Sequence, residues 1–295
     1  MQVTSNISEA STRDMARAYF DILKFRLSAT VAFSGAFGYC FAVANFNWAN
    51  LALFSVAAIG ITGAANIINQ IIEIDFDKLM KRTENRPLPS GRLTVNQAIG
   101  FCVILAVVSI SIFLLYFNLR ACALAVLSMI LYGFVYTPLK RVGPIAVFVG
   151  AIPGAFPPMI GWVAATNHFS LEPGILFAIQ FFWQFPHFWA IAWVLDDDYK
   201  KAGFKLLPSK GGKDINTAIQ MMIYTLCLLP LTWLPYYLGM TGINSGFVAM
   251  LLGILFLAQT FHLMRKCTDK TALQLMFGSF LYLPIVQIAF LLDKI

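Results

Sequence analysis

"NQIIEIDFDKLMKRTENRPLPSGR" runs from Asn69 to Arg92 between two long apolar stretches. It gathers Glu73, Asp75 and Asp77, then Lys78, Lys81, Arg82, Arg86 and Arg92, in a chain of which only 12% is charged. An average soluble protein is about 25% charged. With 59% hydrophobic residues and a mean hydropathy of +0.74, this chain lacks the polar surface a water-soluble domain needs. Apolar segments of roughly 20 residues recur, the length that crosses a hydrocarbon core about 30 Å thick. In lipid only helices or closed barrels satisfy every backbone group, and the long unbroken runs lack a barrel strand's alternation. The expectation is an all-α polytopic membrane protein.

Nine transmembrane helices are expected, at about 27–45, 50–72, 96–117, 121–138, 144–165, 172–195, 215–238, 243–263 and 272–292. The first twenty residues mix Ser, Thr, Glu, Asp and Arg with no apolar cleaved segment, so no signal peptide is read there. Cys40, Cys102, Cys122, Cys227 and Cys267 are scattered without a CxxC pair, which argues against a disulfide framework or a zinc site.

Orientation follows from the cations. With the N-terminus inside, the inner segments hold Arg13, Arg17, Lys24 and Arg26, then the five cations of the opening stretch, then Lys140 and Arg141. Lys200, Lys201, Lys205, Lys210 and Lys213 follow, and last Arg265, Lys266 and Lys270. Of the 21 lysines and arginines only Arg120 and Lys294 fall outside. The expected arrangement is a single domain over 1–295, with 1–22 and the loops 73–95 and 196–214 cytoplasmic and the C-terminus outside. The net charge of +7 therefore belongs to one face, where it suits an anionic substrate or lipid headgroups. The basic loops carry no nucleic-acid reader motif.

The acids cluster on the same side: Glu73, Asp75 and Asp77 end the second span, and Asp196, Asp197 and Asp198 end the sixth. The spacing suggests two four-helix repeats plus a ninth helix. On a helix, Asn66, Asn69 or Gln70, Glu73 and Asp77 share one face, with Asp75 turned away toward nearby cations. Such a ladder of hard oxygen donors suits Mg²⁺, which takes one or two carboxylates alongside phosphate oxygens. An isolated acidic pair at a helix end more often marks the water boundary. Asn66 and Asn69 shift that balance, because an unpaired amide deep in a span costs several kcal/mol. Arg86, Arg92, Lys140 and Arg141 are candidate partners for phosphate oxygens. Gln180, Gln184, His187 and Asp198 fall on nearly one face of the sixth span, with His187 inside the membrane. Pro153, Pro157, Pro158 and Pro186 are expected to kink the fifth and sixth spans around a cavity.

The stretch "NIINQIIEIDFDKLMKRTENRPLPSG" (66–91) resembles the first Asp-rich motif of the UbiA superfamily of intramembrane prenyltransferases. "YTPLKR" (136–141), "GAIPGAFPPMIGW" (150–162), "WQFPHFWAIAW" (183–193) and "DDYKKAGFKLLP" (197–208) narrow the likeness to the branch that farnesylates protohaem. The chain departs from the pattern in three places. Glu73 stands where many relatives have Asp, "LKFRLS" (23–28) stands for the usual "KPR", and Lys200, Lys201 and Ala202 replace a second acid four residues on.

The resemblance implies a UbiA-like bundle in a bacterial inner membrane, its central cavity opening to the cytoplasmic face. It implies Mg²⁺ held by Asn69, Glu73, Asp77, Asp197 and Asp198, which also form the catalytic set, and diphosphate bound by Arg82, Arg86, Lys140, Arg141 and Lys201. Its substrates would be farnesyl diphosphate and protohaem IX (haem B), with His187 in the haem pocket. The product, haem O, would pass to a haem A synthase or a terminal oxidase assembly. The rival acceptor is an aromatic quinone precursor, against which "PHFW" and "DDY" weigh. A transporter is the rival of another class, and its sites usually lie mid-bilayer rather than at one face.

Overall fold

Short polar side chains start most of the long helices. Asn47 accepts from the amides of Ala49 and Asn50, Asn118 from Ala121, and Asp214 from Thr217, while Thr94 and Gln97 close a capping box. Each satisfies an amide that the first helical turn leaves unpaired. The computed structural model describes residues 12–210 and 212–295. The helices are α1 (Thr12–Leu23), α2 (Phe25–Ala42), α3 (Trp48–Ile72) and α4 (Val95–Tyr116). They continue as α5 (Leu119–Leu139), α6 (Ile145–Thr166), α7 (Leu171–Val194), α8 (Ile215–Tyr237), α9 (Ile243–Lys266) and α10 (Asp269–Leu292). Among the described residues there is no β-strand, only an isolated bridge between Thr241 and Lys294.

Eight of these, α3 to α10, are long and apolar enough to cross a membrane. The first of the nine expected spans is present as α2, but it carries Arg26, Ser28, Thr30 and Ser34 within 18 residues and is not among the eight. The segment expected as an aqueous tail is helical from Thr12, and residues 1–11 lie outside the described part. In α1, Ala18 and Ile22 pack against Ile67 and Ala98 while Met15 and Phe20 stay exposed.

The helices group as α2–α5 and α6–α9, with α10 packed on α7, α9 and α2. The central contact joins α2 to α6. It is close because Gly38 on α2 and Gly161 on α6 lie against the opposite helix, where a side chain would overlap the backbone of Pro158 and of Gly35 respectively.

The prolines expected to kink α6 and α7 do not interrupt either helix. Both helices run through, and in α6 side chains of neighbouring helices take up two of the carbonyls that the prolines strand. Pro157 frees the carbonyl of Pro153, which accepts from Ser128 Oγ at 3.1 Å. Pro158 frees that of Gly154, which accepts from Gln180 Nε2 at 2.8 Å.

Breaks occur instead after α3 and α7. Glu73 (φ −100°, ψ 9°) and Leu195 (φ −100°, ψ 10°) leave the helix with the same backbone, and short turns Ile74–Asp77 and Asp196–Lys201 follow. Both acidic clusters therefore sit on a re-aimed turn at equivalent places in the two helix groups.

Candidate active site

The end of α3 brings the acids of the opening stretch into a buried charge cluster. Asp77 is 0% exposed, Asn69 2% and Glu73 3%. A lone buried carboxylate would be prohibitively costly, so each finds a cation. Arg86 Nη1 reaches both oxygens of Asp77, at 2.9 and 2.7 Å. Lys140 Nζ lies 2.8 Å from Glu73 Oε1 and 4.8 Å from the centre of the Tyr136 ring. Burial pulls the Lys140 ammonium down, but the Glu73 carboxylate more than reverses this and leaves its pKa above the ordinary lysine value.

Asn69 joins the cluster by donating to Thr137 Oγ1 at 3.1 Å and accepting from Lys24 Nζ at 3.3 Å. Lys24 takes a left-handed backbone (φ 49°, ψ 53°) between α1 and α2, which costs a non-glycine residue about 1–2 kcal/mol. Burial, with the like charges of Arg86 and Lys140, holds its pKa well below normal.

The ladder expected on one helix face is corrected in two ways. The break at Glu73 puts Asp77 on a separate short turn, although the bonds from the Glu73 amide to the Asn69 carbonyl and from the Asp77 amide to the Glu73 carbonyl still bridge it. Asn66 and Gln70 are committed elsewhere, to Ser28 Oγ at 3.2 Å and the Ile22 carbonyl at 2.7 Å. Asp75 is exposed and pairs with Lys78 at 3.0 Å, as its outward position foretold.

In the second cluster, Asp196 pairs with Lys200 at 2.7 Å and Asp198 with Lys201 at 2.9 Å. The bond from Lys201 holds the Asp198 carboxyl below its usual range. Asp198 also accepts from the backbone amide of Arg82 at 3.4 Å, which ties the two acidic loops together. Asp197 is exposed and makes no hydrogen bond or ion pair with any described residue. The break at Leu195 puts Asp198 on a separate short turn beyond α7, the helix that carries Gln180, Gln184 and His187. Of the expected cations, Arg82, Arg141 and Lys201 stay exposed at the rim, with Arg141 4.0 Å over the Phe76 ring. Arg92 bonds Asp21 at 2.8 Å, away from the carboxylates.

Beneath the charges lies a cavity of about 270 Å³. Asn66, Tyr132 and Tyr136 line it near the charged end, and Gln180, Gln184 and His187 line it on α7. A π-helical turn over Leu131–Tyr136 sets the two tyrosine rings 5.3 Å apart on the cavity wall. His168 sits in the loop after α6 and His262 in the last turns of α9, as expected. Sequence reasoning missed Lys24, Thr137 and Tyr132. Thr137 and Tyr132 carry no charge to draw attention, and Lys24 reads as an ordinary inner-face anchor.

The donor set fits a hard divalent cation. Glu73, Asp77 and the Asn69 amide oxygen supply two carboxylates and a neutral oxygen within one buried cluster. No group of three or more acid, histidine or cysteine side chains that could hold a metal occurs among the described residues. An ion here would take its other ligands from phosphate and water, the usual habit of Mg²⁺.

Buried carboxylates paired with cations above an apolar cavity, in a polytopic bundle, define an intramembrane enzyme built for a substrate with a charged head and a greasy tail. The chain belongs to the UbiA prenyltransferase family, whose sequence pattern matches residues 31–283. It is 59% identical over 280 residues to the protoheme IX farnesyltransferase of Cytophaga hutchinsonii, covering 95% of this chain and 98% of that one. It is 46% identical to the Flavobacterium psychrophilum protein of the same name, covering 93% of each. Among solved structures, digeranylgeranylglyceryl phosphate synthase superposes with a TM-score of 0.78 at 22% identity, over 95% of this chain and 98% of that one. A UbiA homologue from Archaeoglobus fulgidus, bound to DMAPP and Mg²⁺, gives 0.69 at 17% identity, over 92% and 98%.

Proposed function

We propose that this chain transfers the farnesyl group of farnesyl diphosphate to the 2-vinyl group of protohaem IX, giving haem O. The observation that carries the reading is the buried pairing of Glu73 with Lys140 and of Asp77 with Arg86 above the apolar cavity. The haem acceptor rests on the 59% likeness to a named protohaem enzyme and on His187, which lines that cavity.

Mg²⁺ at Asn69, Glu73 and Asp77, with Asp197 and Asp198 from the facing loop, would supply positive charge to the leaving diphosphate. A metal-bound diphosphate held by Glu73 and Asp77 would give these carboxylates a new countercharge in place of Lys140 and Arg86. Arg86, Lys140 and Lys24 are then free to bind phosphate oxygens, and the rim residues Arg82, Arg141 and Lys201 take the outer phosphate. The farnesyl tail lies along the apolar walls, which keep water from the allylic carbon until the acceptor has reacted. The C1–O bond breaks with its electron pair going to diphosphate. The vinyl pair forms the new carbon–carbon bond, and a water oxygen adds to the resulting cation and releases a proton. The reading includes one domain over 1–295, a bacterial cytoplasmic membrane, a cytoplasmic N-terminus and charged face, and delivery to a haem A synthase or oxidase.

Purified protein incubated with haem B, farnesyl diphosphate and Mg²⁺ is expected to yield haem O by mass, with none formed in EDTA and activity restored by added Mg²⁺. No haem product, with clean turnover of an aromatic quinone precursor, would transfer the assignment to that acceptor.

Lys140→Gln removes one charge-assisted phosphate contact, worth about 1.5–3 kcal/mol. Its KM for farnesyl diphosphate is expected to rise roughly tenfold to a hundredfold, read by steady-state kinetics at saturating haem. An unchanged KM would limit Lys140 to balancing Glu73.

A further inference from the structure

His187 is buried, and its Nδ1 lies 2.8 Å from Ser279 Oγ. A serine hydroxyl has one proton to give, and that of Ser279 goes to the Met276 carbonyl, 2.6 Å away on the preceding turn of α10. A carbonyl only accepts, so the donor in that bond is fixed. Toward His187 the same oxygen must therefore accept, which places the imidazole proton on Nδ1. The ring is then neutral with a bare lone pair on Nε2. That nitrogen makes no hydrogen bond with any described residue, and His187 lines the cavity.

The ring is also clamped. The Trp183 indole stacks on it at 4.5 Å and donates Nε1–H to the Ser279 carbonyl at 3.0 Å, while Phe280 meets it edge-on at 4.8 Å. Trp183 thus braces both the imidazole and the residue that orients it. A purely structural buried histidine would have a partner on each ring nitrogen, since buried polar groups are nearly always satisfied. Here one nitrogen is anchored through two hydrogen bonds to the α10 backbone, and the other is kept open. Metal-binding histidines are held the same way, by a partner on the far nitrogen that sets tautomer and ring angle.

We infer that Ser279 is a positioning residue that fixes the Nδ1–H tautomer of His187, so that Nε2 binds the iron of the porphyrin acceptor in the cavity. The inference rests on the haem reading above, and it adds a ligand for the iron and the residue that aims it. Ligation at the iron would hold the macrocycle at a set height in the cavity, leaving its vinyl edge free for the reacting carbon.

The test compares binding of ferric protoporphyrin IX and of metal-free protoporphyrin IX to the purified full chain, followed by Soret absorption and electron paramagnetic resonance. The wild type is expected to prefer the iron porphyrin, and His187→Ala to lose that preference and the imidazole-ligated spectrum. Ser279→Ala is expected to reduce the preference about tenfold, the usual cost of losing such a partner, while binding metal-free porphyrin as before. Ser279→Thr keeps the hydroxyl and is expected to restore both preference and spectrum. A Ser279→Ala protein with wild-type preference and spectrum would overturn the inference, as would a wild type that does not distinguish the two porphyrins. Farnesyl transfer by the wild type reports separately on the acceptor. Absence of haem product with iron preference intact would sink the acceptor and leave the ligation standing, and haem product without that preference would do the reverse.

Discussion

Asp77→Asn is expected to lower farnesyl transfer about a thousandfold while the protein still inserts and purifies as a single species. Asp77 is fully buried, and both of its oxygens rest on one guanidinium nitrogen of Arg86. Asparagine has the same shape and keeps an oxygen for Arg86, so packing is preserved and only the charge goes. The cluster then holds Arg86 and Lys140 against Glu73 alone, an environment that repels a divalent cation and the metal–diphosphate complex with it. Losing one preorganised charge-stabilising group costs about 10²–10³ in rate, and here the same group is also a ligand in the proposed metal site. Asp77→Ala is expected to abolish turnover too, but it strands Arg86 in a buried site at about 3–5 kcal/mol, which would blur cause with folding. The measurement is haem O formed per minute, beside size-exclusion of the same preparation in detergent. Full activity in Asp77→Asn would reduce Asp77 to an anchor for Arg86.

The polar residues of the opening stretch were legible as a site because their placement had a cost that sequence alone exposes. An amide or carboxylate inside an apolar span must be satisfied, and Asn69, Glu73 and Asp77 do converge with Arg86 and Lys140. The all-helical class and the approximate ends of α3 to α10 followed equally from length and hydropathy, since the bilayer fixes the length of an apolar span. Three features were hidden. The first is the pair of breaks at Glu73 and Leu195, whose residues are ordinary helix formers and carry no glycine or proline. Aligning the breaks sets Asp75 opposite Asp197 but Asp77 opposite Tyr199, so the two acidic clusters are offset and only the first builds a buried pair of charges. The second is the continuity of α6, because proline positions announce stranded carbonyls but not the Ser128 and Gln180 side chains that take them up. The third is Ser279, whose meaning lies wholly in a neighbour 92 residues away.

Gly38→Ala tests whether the α2–α6 contact holds the site together. A methyl group at Gly38 would overlap the carbonyl of Pro158, a backbone atom with no rotamer to yield. The two helices would have to part, where a side-chain clash could be absorbed by a rotamer change. Both helices wall the cavity, through Ser34 on α2 and Pro153, Gly154 and Pro157 on α6, and α2 begins beside Lys24 in the charge cluster. Overpacking of this kind costs about 1–3 kcal/mol. For a chain of this size that lowers the midpoint of thermal unfolding by roughly 2–5 °C. The control is Gly100→Ala on α4, where the added carbon meets nothing within 4 Å and helix propensity alone favours alanine by about 1 kcal/mol. Fluorescence-detected size exclusion after heating should therefore move the two variants in opposite directions. The loss in Gly38→Ala should extend to farnesyl diphosphate affinity, because separating α2 from α6 also draws Lys24 away from Asn69. A Gly38→Ala protein as stable as wild type would mean that α2 slides freely on α6. The bundle would then owe its charge cluster to α3, α5 and the loop carrying Arg86 alone.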